Sequence, residues 1–258
     1  MTRRIDLVAD LGEGFGAWRM GDDAALLDIL TSANIACGFH AGDPQIMDET
    51  VRSCVRRGVG IGAHPSFPDR QGFGRRDMGL TADEVRADVL YQIGALQAFA
   101  AFHGAPVAHV APHGRLGNLV AVREDYADAV TAAARRLDPE LIILAQDGML
   151  ADAARAAGLR VGIVGIADRA YEDDGTLVRR SEPGAVIHDA EEIRRRTVRM
   201  VVDGVIESRN GVPIPIACDT VLVHGDTAGA VALAQQIRRG LEAAGVEIAP
   251  LADWLEPS

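Results

Sequence analysis

Two carboxylates stand three residues apart on a glycine-rich turn, in Asp10-Leu11-Gly12-Glu13-Gly14-Phe15-Gly16. Turned into one pocket, they repel each other, which raises the pKa of one and suits acid/base work. Four histidines share one kind of position. His40, His64, His113 and His224 each follow a short apolar run, with Gly or Pro within two residues. Neutral imidazole takes or gives a proton near pH 7. A ring of such groups positions or activates water and substrate, so Asp10, Glu13, His40, His64 and His113 are read as the catalytic candidates. The same ring suits a metal ion, but no HExxH or other tight ligand pair is present, and the metal requirement stays open. Asp43, before Pro44, reads as a helix N-cap rather than a catalyst. Cys37 has no basic activator beside it and reads as a small core residue. His109 reads as a core histidine, His103 and His188 as surface.

Around these lie groups suited to holding a substrate. Arg75 and Arg76, in Gly72-Phe73-Gly74-Arg75-Arg76, offer bidentate hydrogen bonds to a carboxylate or phosphate. Asn118, Asp168, Arg169, His224 and Asp226 complete the rim.

The elements that must position them follow from periodicity. Apolar runs of strand length occur at 4–9, 34–37, 59–63, 107–111, 141–145, 160–166, 220–223 and 246–250. Helical patterns fall between most of them, near 22–30, 44–57, 82–100, 123–136, 148–157, 189–203 and 227–244. Thr81 and Glu84 form a capping box, and Gly58 reads as a C′ residue. This alternation predicts an α/β fold with a mostly parallel sheet. Polar residues follow strand after strand, as at the mouth of a (β/α) barrel, whereas an open sheet gathers them at one crevice. We expect a single barrel domain over residues 1–258, distorted or seven-stranded forms included.

Composition removes several classes. Among 258 residues, the 26 basic ones are all Arg, against 37 acidic, for a net charge of −11. The absence of Lys excludes a lysine Schiff base and the P-loop GxxxxGK[ST]. Net acidity argues against nucleic acid, and aromatics at 4% offer few stacking platforms. No apolar run approaches the ~18 residues of a membrane span, and the N-terminal residues show no signal-peptide h-region. Three scattered cysteines without a CxxC point to reduced thiols and a cytoplasmic location.

With these segments assembled, the chain resembles the LamB/YcsF lactam-utilisation family nearly end to end. The resemblance is strongest in Ser32–Pro44, Gly60–Arg76, Tyr91–Leu96 and Ala167-Asp168-Arg169 with Tyr171. It implies a barrel of the glycoside hydrolase/deacetylase type. It also implies one component of an ATP-dependent 5-oxoprolinase, cleaving 5-oxo-L-proline to L-glutamate with ATP hydrolysed to ADP and phosphate. ATP is then a co-substrate, subunits B and C are partners, and self-association is left open. One departure stands out. The family pattern Lys-Pro-His-Gly-Ala/Met-Leu-Tyr-Asn reads here Ala111-Pro112-His113-Gly114-Arg115-Leu116-Gly117-Asn118. Two alternatives therefore stay open: a metal-dependent hydrolase or deacetylase of the same barrel type, or a non-catalytic binding subunit.

Overall fold

A computed structural model describes residues 3–225 and 229–256. Asp226, one of the rim candidates, lies outside the described residues. The strands in chain order are β1 (Arg4–Leu11), β2 (Ser32–Ala36), β3 (Gly60–His64), β4 (His109–Val110), β5 (Ile142–Ala145), β6 (Arg160–Ile166), β7 (Val205–Glu207), β8 (Pro213–Pro215), β9 (Thr220–Val223) and β10 (Glu247–Ile248). The helices are α1 (Asp23–Leu27), α2 (Pro44–Arg57), α3 (Ala82–Phe102), α4 (Gly114–Val120), α5 (Glu124–Leu137), α6 (Met149–Ala156), α7 (Ala190–Asp203) and α8 (Ala230–Ala243). Strands β1 to β6 pair in sequence, all parallel, and β9 pairs with both β6 and β1. The result is a closed seven-stranded barrel.

The strands alternate as the pleat demands. On β1, Ile5, Leu7, Ala9 and Leu11 pack outward into the core shared with the helices. Asp6, Val8 and Asp10 occupy the other face, toward the lumen. That lumen has two halves. One is apolar, built from Ala111, Ile142, Leu144, Val164, Ile166 and Leu251. The other is polar, and its lower layer centres on Asp6, which accepts hydrogen bonds from the hydroxyls of Thr31, Ser32 and Thr220 at 2.7–2.8 Å.

Helix ends follow local chemistry. Asp43 caps α2 through the amides of Gln45 and Ile46, and Gly58 closes that helix at φ +67°. The Thr81/Glu84 capping box opens α3. Three features depart from the sequence reading. The run at 246–250 yields β10, which pairs at Glu247 and Ile248 with Arg4 and Ile5 and adds no eighth stave. The hairpin β7–β8 carries no strand signal in sequence, because Pro213 and Pro215 at both ends of β8 read as loop. Helix α4 begins directly after His113 and has no counterpart among the expected helices.

Candidate active site

The catalytic candidates come from the C-terminal ends of β1, β3 and β4 and from the loop after β2. Asp10 belongs to β1, and Glu13 lies just beyond it, after Gly12 at φ +69°. His64 ends β3, His113 follows β4, and His40 follows β2. All five are buried. The structure brings them into one cluster. His64 Nε2 lies 3.3 Å from Asp10 Oδ1 and 2.9 Å from His113 Nδ1. His40 Nε2 lies 3.0 Å from Glu13 Oε1, and the His40 ring stacks on His113 with centroids 3.8 Å apart. His113 Nδ1 is also 3.6 Å from Glu13 Oε1.

Backbone carbonyls orient the outer edges of two rings. His64 Nδ1 donates to the Ala111 carbonyl at 2.6 Å, and His113 Nε2 donates to the Phe73 carbonyl at 2.9 Å. Phe73 holds φ +54°, a costly conformation for a non-glycine residue, and that segment covers the cluster. Gly74 next to it admits no side chain, since a Cβ there would sit 2.2 Å from Ser66 Oγ and 2.9 Å from both His40 and His113. Ser66 is pinned through its backbone by the buried Gln92 amide, which bonds its N–H and carbonyl at 2.9 Å each.

A second row of polar groups supports the first from below. Asn34 donates from Nδ2 to Asp10 Oδ1, and its Oδ1 receives His109 Nε2. His109 reaches that far because Gly62 lacks a side chain. A Cβ at position 62 would fall 1.8 Å from His109 Nε2. The sequence reading of His109 as a satisfied core histidine matches this bond, but that reading leaves out Asn34, Ser66 and Gln92. Asn34 sits among Ala33, Ile35 and Ala36 in β2, and a lone amide there is the signal that sequence offers.

Electrostatics divide the cluster. Burial works against charge on Asp10, yet His64, then His224 and His113, hold its carboxyl below the usual range. Burial, then repulsion from neighbouring imidazoles, drives His40 well below its ordinary value. Burial, then His64, brings His113 and His109 each to about 3. Burial pushes the Cys37 thiol up to about 12, which fits a core residue rather than a nucleophile.

The rim candidates are distributed unevenly. His224 donates from Nδ1 to Asp168 at 2.8 Å, and Arg180 reaches its Nε2 at 2.7 Å. Sequence gives no signal for Arg180, which lies in a loop without periodicity. Arg169 is buried and spends its donors on the carbonyls of Ala185 and Val178, which ties down the loop after β6. Burial lowers its pKa to about 10. Arg75 lies over the Phe73 ring, 5.0 Å from the centroid, and its charge is felt by His40 and His113. Arg76 instead binds Asp69, whose carboxylate also collects the amides of Gly72 and Arg76 and closes the 69–76 loop. Asn118 is exposed on α4. Arg115 pairs with Asp77 at the surface. Ala111 faces the apolar half of the lumen, and a Cβ at Gly117 would lie 2.5 Å from the Pro112 carbonyl oxygen. A cavity of about 380 Å³ opens at the opposite end of the barrel, between Thr31, Gly58, Arg238 and Pro250, away from this cluster.

Comparison with known proteins adds a family. The LamB/YcsF family profile matches residues 5–256. The chain is 54% identical over 251 residues to the 5-oxoprolinase A subunit of Rhodopseudomonas palustris strain BisB5, covering 96% of this chain and 99% of that protein. It is 52% identical over 256 residues to the 5-oxoprolinase A subunit of Methylococcus capsulatus, covering 99% and 98%. A solved lactam utilization protein from Thermus thermophilus superposes with a TM-score of 0.91 at 43% identity, covering 96% of this chain and 99% of that one. The T48 deacetylase, solved with substrate, shares the fold at a TM-score of 0.51 and 17% identity, covering 99% and 94%.

Proposed function

Because the chain belongs to the LamB/YcsF family, we propose that it is the lactam-handling component of an ATP-dependent 5-oxoprolinase. Its reaction is cleavage of 5-oxo-L-proline to L-glutamate, coupled to hydrolysis of ATP to ADP and phosphate and carried out with subunits B and C. We further read residues 1–258 as one barrel domain and its location as cytoplasmic, consistent with the free, buried Cys37, Cys54 and Cys218.

The observation that carries this reading is the buried cluster of Asp10, Glu13, His40, His64 and His113 at the mouth of the barrel. A five-membered lactam is a weak electrophile, because its nitrogen lone pair is delocalised into the carbonyl. Transfer of the ATP γ-phosphoryl group to the amide oxygen makes the ring carbon attackable by water. Opening the ring then needs a group that takes a proton from water and one that returns a proton to the departing nitrogen; the acyl phosphate that results is hydrolysed by a second water to glutamate and phosphate. Asp10 held against His64 and Glu13 held against His40 supply carboxylate–imidazole pairs within one small volume. Arg180, Arg75 and His224 stand at the rim, where the substrate carboxylate and the transferred phosphoryl group need cationic or hydrogen-bonding partners.

The test is co-expression with the two neighbouring subunits, followed by assay of glutamate and ADP from 5-oxoproline and ATP. We expect equimolar glutamate and ADP, lost in His64→Ala. Absence of turnover with all three subunits folded and associated overturns the reading.

A further inference from the structure

The two central imidazoles face each other the wrong way for an ordinary hydrogen bond. His64 Nδ1 is 2.6 Å from a carbonyl oxygen, and His113 Nε2 is 2.9 Å from another. A carbonyl only accepts, so both of those nitrogens carry the hydrogen. In each neutral ring the other nitrogen is therefore bare. Those bare nitrogens, His64 Nε2 and His113 Nδ1, lie 2.9 Å apart. Two lone pairs at that distance repel, and the nearby carboxylate oxygens of Asp10 at 3.3 Å and Glu13 at 3.6 Å add more negative charge. The arrangement calls for positive charge between the rings, as a metal ion or as a shared proton.

The spacing selects which kind. Ligand atoms of Glu13, His40, His64 and His113 all lie within 4.8 Å of one another. Tetrahedral ligands at zinc-like bond lengths stand about 3.3 Å apart, near the 2.9 Å between the two ring nitrogens and the 3.6 Å from His113 Nδ1 to Glu13 Oε1. Metal-bound histidines characteristically donate their second N–H to a backbone carbonyl or carboxylate, which fixes tautomer and orientation. His64 and His113 both do so. His40 belongs to the outer layer: its Nε2 meets Glu13 Oε1, and its buried Nδ1 has no hydrogen-bond partner. Two imidazoles and a carboxylate form a donor set suited to a borderline-soft divalent ion.

We propose that His64 Nε2 and His113 Nδ1, with the Glu13 carboxylate, bind one divalent transition-metal ion of the zinc type. Bound there, the ion lies at the mouth of the barrel, where a +2 charge polarises a carbonyl or phosphoryl oxygen. The inference rests on ring geometry and not on the identity of the lactam.

The experiment is metal binding by the full chain after treatment with chelator. Zn²⁺ is titrated against a chromophoric competitor, and Co²⁺ is followed by its visible ligand-field absorption. We expect one equivalent of each, an intense Co²⁺ spectrum of low-symmetry coordination, and affinity reduced about 100-fold or more in His64→Ala and in His113→Ala. His103→Ala, whose imidazole pairs with Asp48 elsewhere, should bind as the parent chain does. Circular dichroism checks each variant for folding. If a variant does not fold, the stoichiometry and spectrum of the parent chain decide. Failure of the folded parent chain to bind either ion stoichiometrically overturns the proposal, because a shared proton then separates the rings. Binding unchanged in both folded histidine variants overturns it too. Since the readout is binding, the result stands apart from turnover of 5-oxoproline.

Discussion

Asn34 joins Asp10 to His109: its Nδ2 donates to Asp10 Oδ1 at 2.9 Å while its Oδ1 accepts from His109 Nε2 at 2.8 Å. One amide thus satisfies a carboxylate and an imidazole that are both shielded from water. Asn34→Ala leaves each of them short of a partner. We expect a loss of about 1–3 kcal/mol in urea unfolding. Asn34→Leu should lose at least as much, because added apolar volume does not restore either bond. A loss within ~0.5 kcal/mol for both variants would show that the link contributes nothing.

Gly62 and His109 form a steric pair. A methyl group at position 62 would occupy the place of the His109 ring. Gly62→Ala should cost about 3 kcal/mol or more, at the upper end of overpacking. The double variant Gly62→Ala/His109→Ala should recover most of that loss, because the ring is gone. A double-mutant cycle with no coupling would contradict the stated geometry.

Burial raises the pKa of Asp6, although Ser32, Thr220 and Thr31 all donate to it. The folded chain therefore keeps this proton to higher pH than the unfolded chain. Its favourable contribution is complete below the unfolded value, near 3.8, and is lost as pH rises through the folded value. Asp6→Asn should gain on the parent chain as pH rises above about 4 towards neutrality. Unfolding free energies of both proteins across that range provide the check. A difference that stays flat with pH would refute it.

Arg180 is exposed at the rim and touches His224, which is itself held by Asp168. If it receives the substrate anion, Arg180→Ala in the assembled complex should raise KM for 5-oxoproline by about tenfold. Stability should change by no more than ~0.5 kcal/mol, as expected for an exposed side chain. An unchanged KM would remove Arg180 from the substrate path.

The barrel is legible in the sequence because its signals are local. Apolar runs of strand length, the Asp43 cap and the Thr81/Glu84 box each lie within a few residues, and each appears in the structure. The convergence of His40, His64 and His113 can be read from their common place after strands. What cannot be read depends on long-range partners. Arg75 and Arg76 are adjacent and chemically alike, yet Arg76 binds Asp69 while Arg75 lies over the Phe73 ring. By type and position Arg169 suits a substrate ligand, but its donors meet carbonyls of a loop whose path has no periodic signal. Ala111 and Gly117, the two departures from the family pattern, have separate settings. Ala111 faces an apolar wall, and Gly117 lies against the Pro112 carbonyl.

The seam of the barrel bears on how the chain is made. Strand β1 has β2 on one edge, but its other edge waits for β9. The Thr220 hydroxyl that bonds Asp6 comes 214 residues after it. During synthesis the first strand therefore carries an open edge until nearly the whole chain has emerged. Closure is a late, non-local event, of the kind that slows folding and exposes intermediates to misassembly. Truncations that remove β9 should leave the earlier strands as an unclosed sheet, so β9 acts as the latch for β1.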